Sequence, residues 1–244
     1  MLIAVRMLLT NTAIFSDLPA DTVVMDMDFP MTEARIIERP NRFLVVAHNG
    51  KEEIRCHLHD PGRLRELIYP GNTVLIRQQA GAKTGYSVTA ARAGSEWVIT
   101  DTRFHHPIAR HFLPPDVRSE VRVGNHRIDF MYGDTYLEVK GGTLLENGIG
   151  VFPDAPTTRG RDHLRLLQQL MLRGYGAELM VLMFRRDAAA FRPNSSTDPD
   201  FSREFYRCLD AGMPVRVLRF AFDGTRVTYS GRIPVLDEHG NRIS

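Results

Sequence analysis

Arg127-Ile128-Asp129-Phe130-Met131-Tyr132-Gly133-Asp134-Thr135-Tyr136-Leu137-Glu138-Val139-Lys140 is the stretch on which the reading of the whole chain turns. Ile128 and Phe130 flank Asp129, Leu137 and Val139 alternate with Glu138 and Lys140, and Gly133-Asp134 between the two runs has turn chemistry, so the stretch predicts a β-hairpin. Side chains alternate across a strand. Burying Ile128, Phe130, Leu137 and Val139 on one face therefore gathers Asp129, Glu138 and Lys140 on the other. Two close carboxylates repel unless a cation lies between them, and oxygen donors of this kind suit Mg²⁺ or Mn²⁺. Lys140 beside such an ion is placed to orient a water or to stabilise charge on a phosphate. The plainer alternative is a solvated hairpin face with weak cross-strand ion pairs. Lysine usage argues for chemistry: of 31 basic residues only Lys51, Lys83 and Lys140 are lysine, so a lysine here answers a need that arginine does not meet.

The residues around the hairpin extend this pattern. Val117, Val121 and Val123 share one face of a preceding strand and Arg118, Glu120 and Arg122 the other, which lets Glu120 join the acidic wall. Downstream, Thr157 or Thr158 caps a helix over about 158–173 whose Leu164, Leu167, Leu170 and Met171 form a buried stripe and which Gly174 ends. Arg159, Arg161 and His163 then fall near its N-terminus, where free backbone N–H groups favour a phosphate; the alternative is two solvated charges and a packed ring. The second half reads as a helix (104–113), strands at 117–123, 127–132 and 135–141, the long helix, a strand (178–184), a helix (200–210) and a strand (214–221). Helix, three strands, helix and strand is the element order of a restriction-endonuclease-like core, with the Asp and the Glu-x-Lys on its second and third strands.

Upstream, short strands at 43–47, 54–58, 74–76, 86–90 and 97–99, with Asn49-Gly50 as a hairpin turn and a small helical insert at 63–68, predict an OB-like barrel. Such barrels hold nucleic acid along a basic groove with stacked aromatics. The net charge of +2 hides a polarity: residues 35–92 hold ten basic residues against five acids, whereas residues 1–30 hold Arg6 against Asp17, Asp21, Asp26 and Asp28. Residues 1–32 read as a disordered leader or a misassigned start, with Met25, Met27 and Met31 as alternative initiators and ordered pattern only from Ala34. The expected division is thus 1–32, a barrel at 33–102 and an α/β domain at 103–244. Cys56 and Cys208 give no disulfide framework and fit a reducing cytoplasm. No apolar run approaches a membrane span, and Thr10, Asn11 and Thr12 break the apolar start that would otherwise resemble an export signal.

Three other groups are read as structural. Gly81-Ala82-Lys83-Thr84 lacks the glycines of a phosphate-binding loop and is expected to be a hairpin turn. Cys56, His57 and His59 lack a second ligand cluster. His105, His106 and His111 lie on a short helix, where they can meet acidic groups but show no metal-binding spacing.

Five runs resemble the sugar fermentation stimulation protein A family: Glu38-Arg39-Pro40-Asn41-Arg42-Phe43, His57-Leu58-His59-Asp60-Pro61-Gly62-Arg63-Leu64, Arg127-Ile128-Asp129-Phe130, Leu137-Glu138-Val139-Lys140 with Thr143-Leu144, and Phe152-Pro153-Asp154-Ala155 with Arg159-Gly160 and His163-Leu164. The resemblance runs from about Glu33 to Phe220. It implies an OB-like barrel joined to a nuclease-like PD-(D/E)XK domain, in a bacterial, cytoplasmic DNA-binding protein often described as a regulator of sugar metabolism. It places the nuclease-like signature on Asp129, Glu138 and Lys140, with Glu120 before it and Arg159 and His163 after. Three positions depart from the family pattern: Gly141-Gly142 after the lysine, His105-His106, and Phe184.

Two functions are therefore expected. One is non-specific DNA binding, with phosphates held by Arg42, Arg63, Arg127, Arg159 and Arg161. The other is a Mg²⁺- or Mn²⁺-dependent nuclease on DNA or RNA, with Asp129, Glu138 and Glu120 as metal ligands and Asp129, Glu138, Lys140 and His163 as catalytic residues. The sequence leaves the oligomeric state open, a homodimer included.

Overall fold

The computed structural model describes residues 18–79 and 84–243. The first fifteen residues and the Gly81–Lys83 turn of the sequence reading lie outside them.

Strand β1 (Thr22–Asp26) is followed by β2 (Thr32–Asn41), β3 (Leu44–His48), β4 (Glu53–His57), β5 (Thr73–Gln78), β6 (Tyr86–Ala93) and β7 (Glu96–Ile99). The order β4-β3-β2-β5-β6 is closed by a parallel β4–β6 pair, making a five-stranded barrel. Closure removes the open sheet edges that would otherwise template aggregation. Val45, Cys56, Val74, Ile76, Val88 and Ala90 fill the interior.

After a single 3₁₀ turn (Thr102–Phe104) come α1 (His105–Arg110), β8 (Arg118–Val123), β9 (His126–Tyr132), β10 (Thr135–Gly142), β11 (Leu144–Glu146), β12 (Ile149–Phe152), α2 (Thr158–Leu172), β13 (Gly176–Met183), β14 (Ala190–Pro193), α3 (Pro199–Asp210), β15 (Val215–Phe222) and β16 (Arg226–Arg232). Strands β8, β9 and β10 are antiparallel, β10, β13 and β15 are parallel, and β16 returns antiparallel. Helices cover the parallel part, as buried parallel strands require. The chain is therefore mixed α/β with an OB-type barrel.

Alternation on β13 separates two cores. Met180 and Leu182 pack with Phe130, Leu137 and Val139 in a cluster continuous with the barrel interior, whereas Ala177, Leu179, Val181 and Met183 pack with Leu164 and Leu167 of α2 and Phe201 and Phe205 of α3. The hairpin follows the expected alternation with one exception: Ile128 belongs to the second core and Phe130 to the first. The strand turns over at Asp129.

The leader expectation is corrected for its described part. Residues 22–26 form a strand paired with β16, Val24 and Met27 are buried, and the Met27 N–H donates to Thr225. The pairing partner lies some two hundred residues away, and a five-residue edge strand leaves little local periodicity.

Where the barrel meets the second half, Asp60 sits under Gly62 and near Asp154, and burial pushes its carboxyl up to about 6. A carboxyl with a raised folded-state pKa costs stability when ionised. That cost is absent below the unfolded value near 4 and grows as pH rises through about 6. Asp60→Asn keeps the oxygen that accepts the Gly62 N–H at 2.7 Å. It is expected to be more stable than the parent at pH 8 by about 2 kcal/mol and equal to it near pH 4, measured as denaturation midpoints across that range. A constant difference between the two proteins would show that Asp60 does not titrate in this window.

Candidate functional site

The site forms where β9 separates from β10. Their ladder pairs only Phe130 to Tyr132 with Thr135 to Leu137, so the Val139 N–H has lost its strand partner. The Asp129 carboxylate replaces it, Oδ2 accepting from Val139 N at 2.7 Å. A side chain thus completes the sheet and is fixed by it. On the other side, the β8–β9 ladder skips the Glu120–Asp129 pair, and Glu120 has φ +56°, a left-handed conformation costly for a residue with a Cβ. The irregularity aims both carboxylates at α1.

His106 of α1 lies between them. Its Nε2 hydrogen-bonds Asp129 Oδ1 at 2.9 Å, and its Nδ1 is 3.5 Å from Glu120 Oε1. With a carboxylate at each nitrogen, the ring is suited to its doubly protonated form. The hydrogen bond to Asp129 raises its pKa above the ordinary histidine value, although burial opposes this. Burial also works against the Asp129 charge, yet the His106 hydrogen bond, the Lys140 ammonium and the Val139 N–H together hold its carboxyl below the usual range.

Glu138 is 1 % exposed, and its Oε1 accepts from both Lys140 Nζ and His163 Nδ1. Its Oε2 is buried and has no hydrogen-bond partner. Glu138 and Lys140 share a face of β10, and α2 packs on that face through its Leu164 stripe, which brings His163 onto Glu138. Asp129, Glu138, Lys140, Glu120 and His106 line one cavity of about 330 Å³ together with Thr102, His105, Val139 and Arg159.

The expected residues divide accordingly. The cavity gathers Asp129, Glu138, Lys140, Glu120 and Arg159. His163 is 3 % exposed and holds Glu138 rather than a phosphate, because it sits a full turn into α2 on the helix's buried side. Arg161 is also corrected: its guanidinium pairs with Asp198 at 3.4 Å and Asp200 at 3.1 Å at the start of α3, away from the cavity. Arg127 is exposed and pairs with Glu120 at 3.2 Å. Arg42 and Arg63 lie on the barrel, in a separate groove. His106, expected to be structural, is the addition that the sequence signals only through a histidine pair on a very short helix.

Three departures from the family pattern meet in space. The His105 ring stacks on Phe184 at 5.3 Å, and a Cβ on Gly141 would lie 2.0 Å from His105 Cε1. Gly141 is thus what lets His105 lie flat over β10 next to Lys140. Gly141→Ala is expected to cost about 1–3 kcal/mol by overpacking, and His105→Ala in the same chain to recover at least about 1 kcal/mol of it, measured as a double-mutant cycle on chemical denaturation. Additive losses would mean that the ring and the glycine do not constrain each other.

A closed barrel fused to a mixed α/β sheet, with three carboxylates, a histidine and a lysine at the point where two strands part, defines an OB-barrel protein with a pocket rich in ionisable side chains. Residues 37–100 match the model of the SfsA N-terminal OB domain and residues 99–226 that of the sugar fermentation stimulation protein RE domain. The chain belongs to the sugar fermentation stimulation protein family. It is 54 % identical over 203 residues to a sugar fermentation stimulation protein homolog of Saccharolobus solfataricus, covering 83 % of this chain and 85 % of that one. It is 52 % identical over 209 residues to the homolog of Sulfurisphaera tokodaii, covering 85 % and 92 %. These relatives are archaeal, so the bacterial origin that the resemblance implied gains no support from them. The structure of Pyrococcus furiosus SfsA in complex with Ca²⁺ superposes with a TM-score of 0.81 at 25 % identity, covering 88 % of this chain and all of that one. Among the described residues no helix is long and apolar enough to cross a membrane.

Proposed function

We propose that the cavity is a divalent-metal-dependent phosphodiesterase site of the PD-(D/E)XK kind, in a protein that holds nucleic acid through its arginines. The observation that carries this reading is the buried, partnerless Oε2 of Glu138, a residue that lines the cavity together with Asp129, Glu120 and His106. An unpaired buried carboxylate oxygen is costly unless a cation or donor is to meet it. Ligand atoms of His106, Glu120 and Asp129 lie within 4.8 Å of one another, a spacing one ion can span. The residues fit the group: Asp129 and Glu120 would hold Mg²⁺ or Mn²⁺ through oxygen, with Glu138 outside this close trio but lining the same cavity, and His106, once it gives up a proton, would add an imidazole nitrogen that inclines the set towards Mn²⁺. The ion, when bound, supplies Lewis acidity at a phosphate oxygen and a more acidic water.

The protein's own groups do the rest. Lys140 is placed to orient a water against the phosphorus and to steady the charge that develops on the non-bridging oxygens. Arg159, beside the α2 N-terminus and on the cavity wall, holds the phosphate together with the free N–H groups there. His163 keeps Glu138 in one rotamer by engaging Oε1, which leaves Oε2 without a partner.

The relative from P. furiosus carries Ca²⁺ by its description, which is consistent with a metal-binding role in this family. Labelled single-stranded, duplex and hairpin DNA and RNA incubated with Mn²⁺ or Mg²⁺ test the proposal. Cleavage is expected in the parent protein and is expected to vanish with EDTA and in Glu138→Ala. Equal cleavage by the parent, Glu138→Ala and Lys140→Ala would assign the activity to a contaminant and overturn the reading.

A further inference from the structure

The barrel carries a second feature that the cavity does not use. Phe43, at the entry to β3, is 42 % exposed, and its ring lies parallel to that of His57 on β4, at 6.2 Å and 12°. His57 in turn meets His59 edge-on at 4.3 Å. The Arg42 guanidinium lies 5.2 Å from the centre of the Phe43 ring. The inner end reaches the cavity: the His59 carbonyl accepts from Thr102 Oγ1 at 3.2 Å, and Thr102 is one of the cavity-lining residues. Burial pushes the His59 imidazole down to about 4, so the inner ring of the row is uncharged at neutral pH.

Alongside the row runs a groove whose charged lining is arginine throughout: Arg39, Arg42, Arg63 and Arg65. Arg39 is committed to the fold, since it donates to the carbonyls of Gly62 at 2.8 Å and of Arg42 at 3.1 Å and so holds the Pro61–Arg63 loop against the barrel. Arg42, Arg63 and Arg65 are exposed and, among the described residues, form no ion pair. The far wall of the groove is Ala155 and Pro156, and three residues further on Arg159 lines the cavity. Groove and cavity are thus consecutive along one short stretch of chain.

We infer that this face of the barrel is a binding track for single-stranded nucleic acid, with a base stacked on Phe43 and His57 and the backbone phosphates on Arg42, Arg63 and Arg65, leading an unpaired strand into the cavity. A duplex keeps its base faces covered by its own stack and has nothing to offer Phe43. A single strand presents both a ring face and a flexible phosphate chain, which is what an aromatic row beside an arginine groove accepts. An exposed phenylalanine under a guanidinium is otherwise unaccounted for in the packing of the barrel. The destination of the strand rests on the proposed function; the track itself does not, because binding needs no turnover.

Fluorescence anisotropy in EDTA with the full chain separates the two. The probes are a labelled 20-nucleotide oligo-dT, the matching oligo-rU and a 20-base-pair duplex. The parent is expected to bind a single strand at least about tenfold more tightly than the duplex. Phe43→Ala should weaken single-strand binding about tenfold and leave duplex binding within about twofold, and Phe43→Trp should restore it. Arg63→Gln should lower the slope of log affinity against log salt by about 0.7 on the single strand. Tight binding of oligo-dT, of oligo-rU or of both supports the track and says which sugar it accepts. Preference for the duplex, or a Phe43→Ala loss that is absent or equal for both, overturns it. Single-strand binding without metal-dependent cleavage would defeat the phosphodiesterase reading alone, and cleavage indifferent to Phe43→Ala, with single-strand binding weakened, would defeat only the delivery of the strand to the cavity.

Discussion

Glu138→Gln is expected to lose divalent-metal binding by at least about a hundredfold in calorimetric titration, and cleavage with it, whereas Lys140→Met should keep the metal affinity within a few-fold and lose about 10²–10³ in turnover. The split follows from where each group sits. Glu138 Oε1 is occupied by Lys140 and His163, so the buried and partnerless Oε2 is the atom left to meet a cation. Glutamine keeps the shape but puts a neutral amide where charge is needed. Lys140 carries no ligand atom for a cation, so its removal leaves the carboxylates in place and takes away a compact positive charge beside the phosphate. His163→Gln should fall between them, at about 10–100-fold in metal affinity, because it acts only by holding Glu138. Thermal melts of the three variants check that each is folded. A metal isotherm for Glu138→Gln that overlays the parent would remove the metal from this cavity and, with it, the role of Lys140.

The parts of this site that were legible in the sequence are those that local periodicity encodes. Asp129, Glu138 and Lys140 lie within a dozen residues on two strands of one hairpin, so alternation alone put them on a common wall. Glu120 was reached by the same reasoning one strand earlier. What periodicity does not encode is which element arrives from elsewhere. His106 sits on a six-residue helix, too short to show a face, and its contact with Asp129 is fixed by the packing of α1 over the sheet. The cap of α2 and its stripe of Leu164, Leu167 and Leu170 are legible in the sequence, but residue 163 belongs to that buried stripe rather than to the exposed helix N-terminus, so its task is not. Arg161 looked like a phosphate ligand until α3 supplied Asp198 and Asp200. The fold shows the same division. Four barrel strands, β3 to β6, and the order of the second half are legible in the pattern, whereas β2, the middle strand of the barrel order, is not, and residues 97–99, expected in the barrel, belong to β7, which pairs with β6 and β15 outside it; β1, β11, β12, β14 and β16 are short or paired across long separations. The shared core is likewise a tertiary fact, since no pattern within residues 33–102 or 103–244 announces that the barrel interior runs on into one face of the sheet.

The largest loss of stability is expected from Arg216→Met, at about 3–5 kcal/mol in urea or guanidinium denaturation at pH 7. Arg216 of β15 is 9 % exposed and Glu178 of β13 is 6 % exposed, and the Arg216 Nε donates to Glu178 Oε1. Tyr132 of β9 donates to the other oxygen at 2.6 Å, and Arg216 Nη1 reaches the Phe112 carbonyl at 3.3 Å. Removing the guanidinium leaves Glu178 buried as an anion with one tyrosine for company, and that uncompensated charge is the main cost. One consequence separates this cause from simple loss of packing. The Arg216→Met, Glu178→Met double variant should recover most of the loss, because two apolar side chains of similar volume need no counter-charge. The network reaches the site through geometry: Glu178 pairs in register with Leu137, next to Glu138, and Phe112 follows α1, the helix that carries His106. The double variant is therefore expected to bind Mn²⁺ about 3–10-fold more weakly than the parent despite its recovered stability, because the chain just after α1 is no longer tied to β15. A double variant as unstable as the single one would mean that the volume of Arg216, rather than the charge it neutralises, holds these strands together.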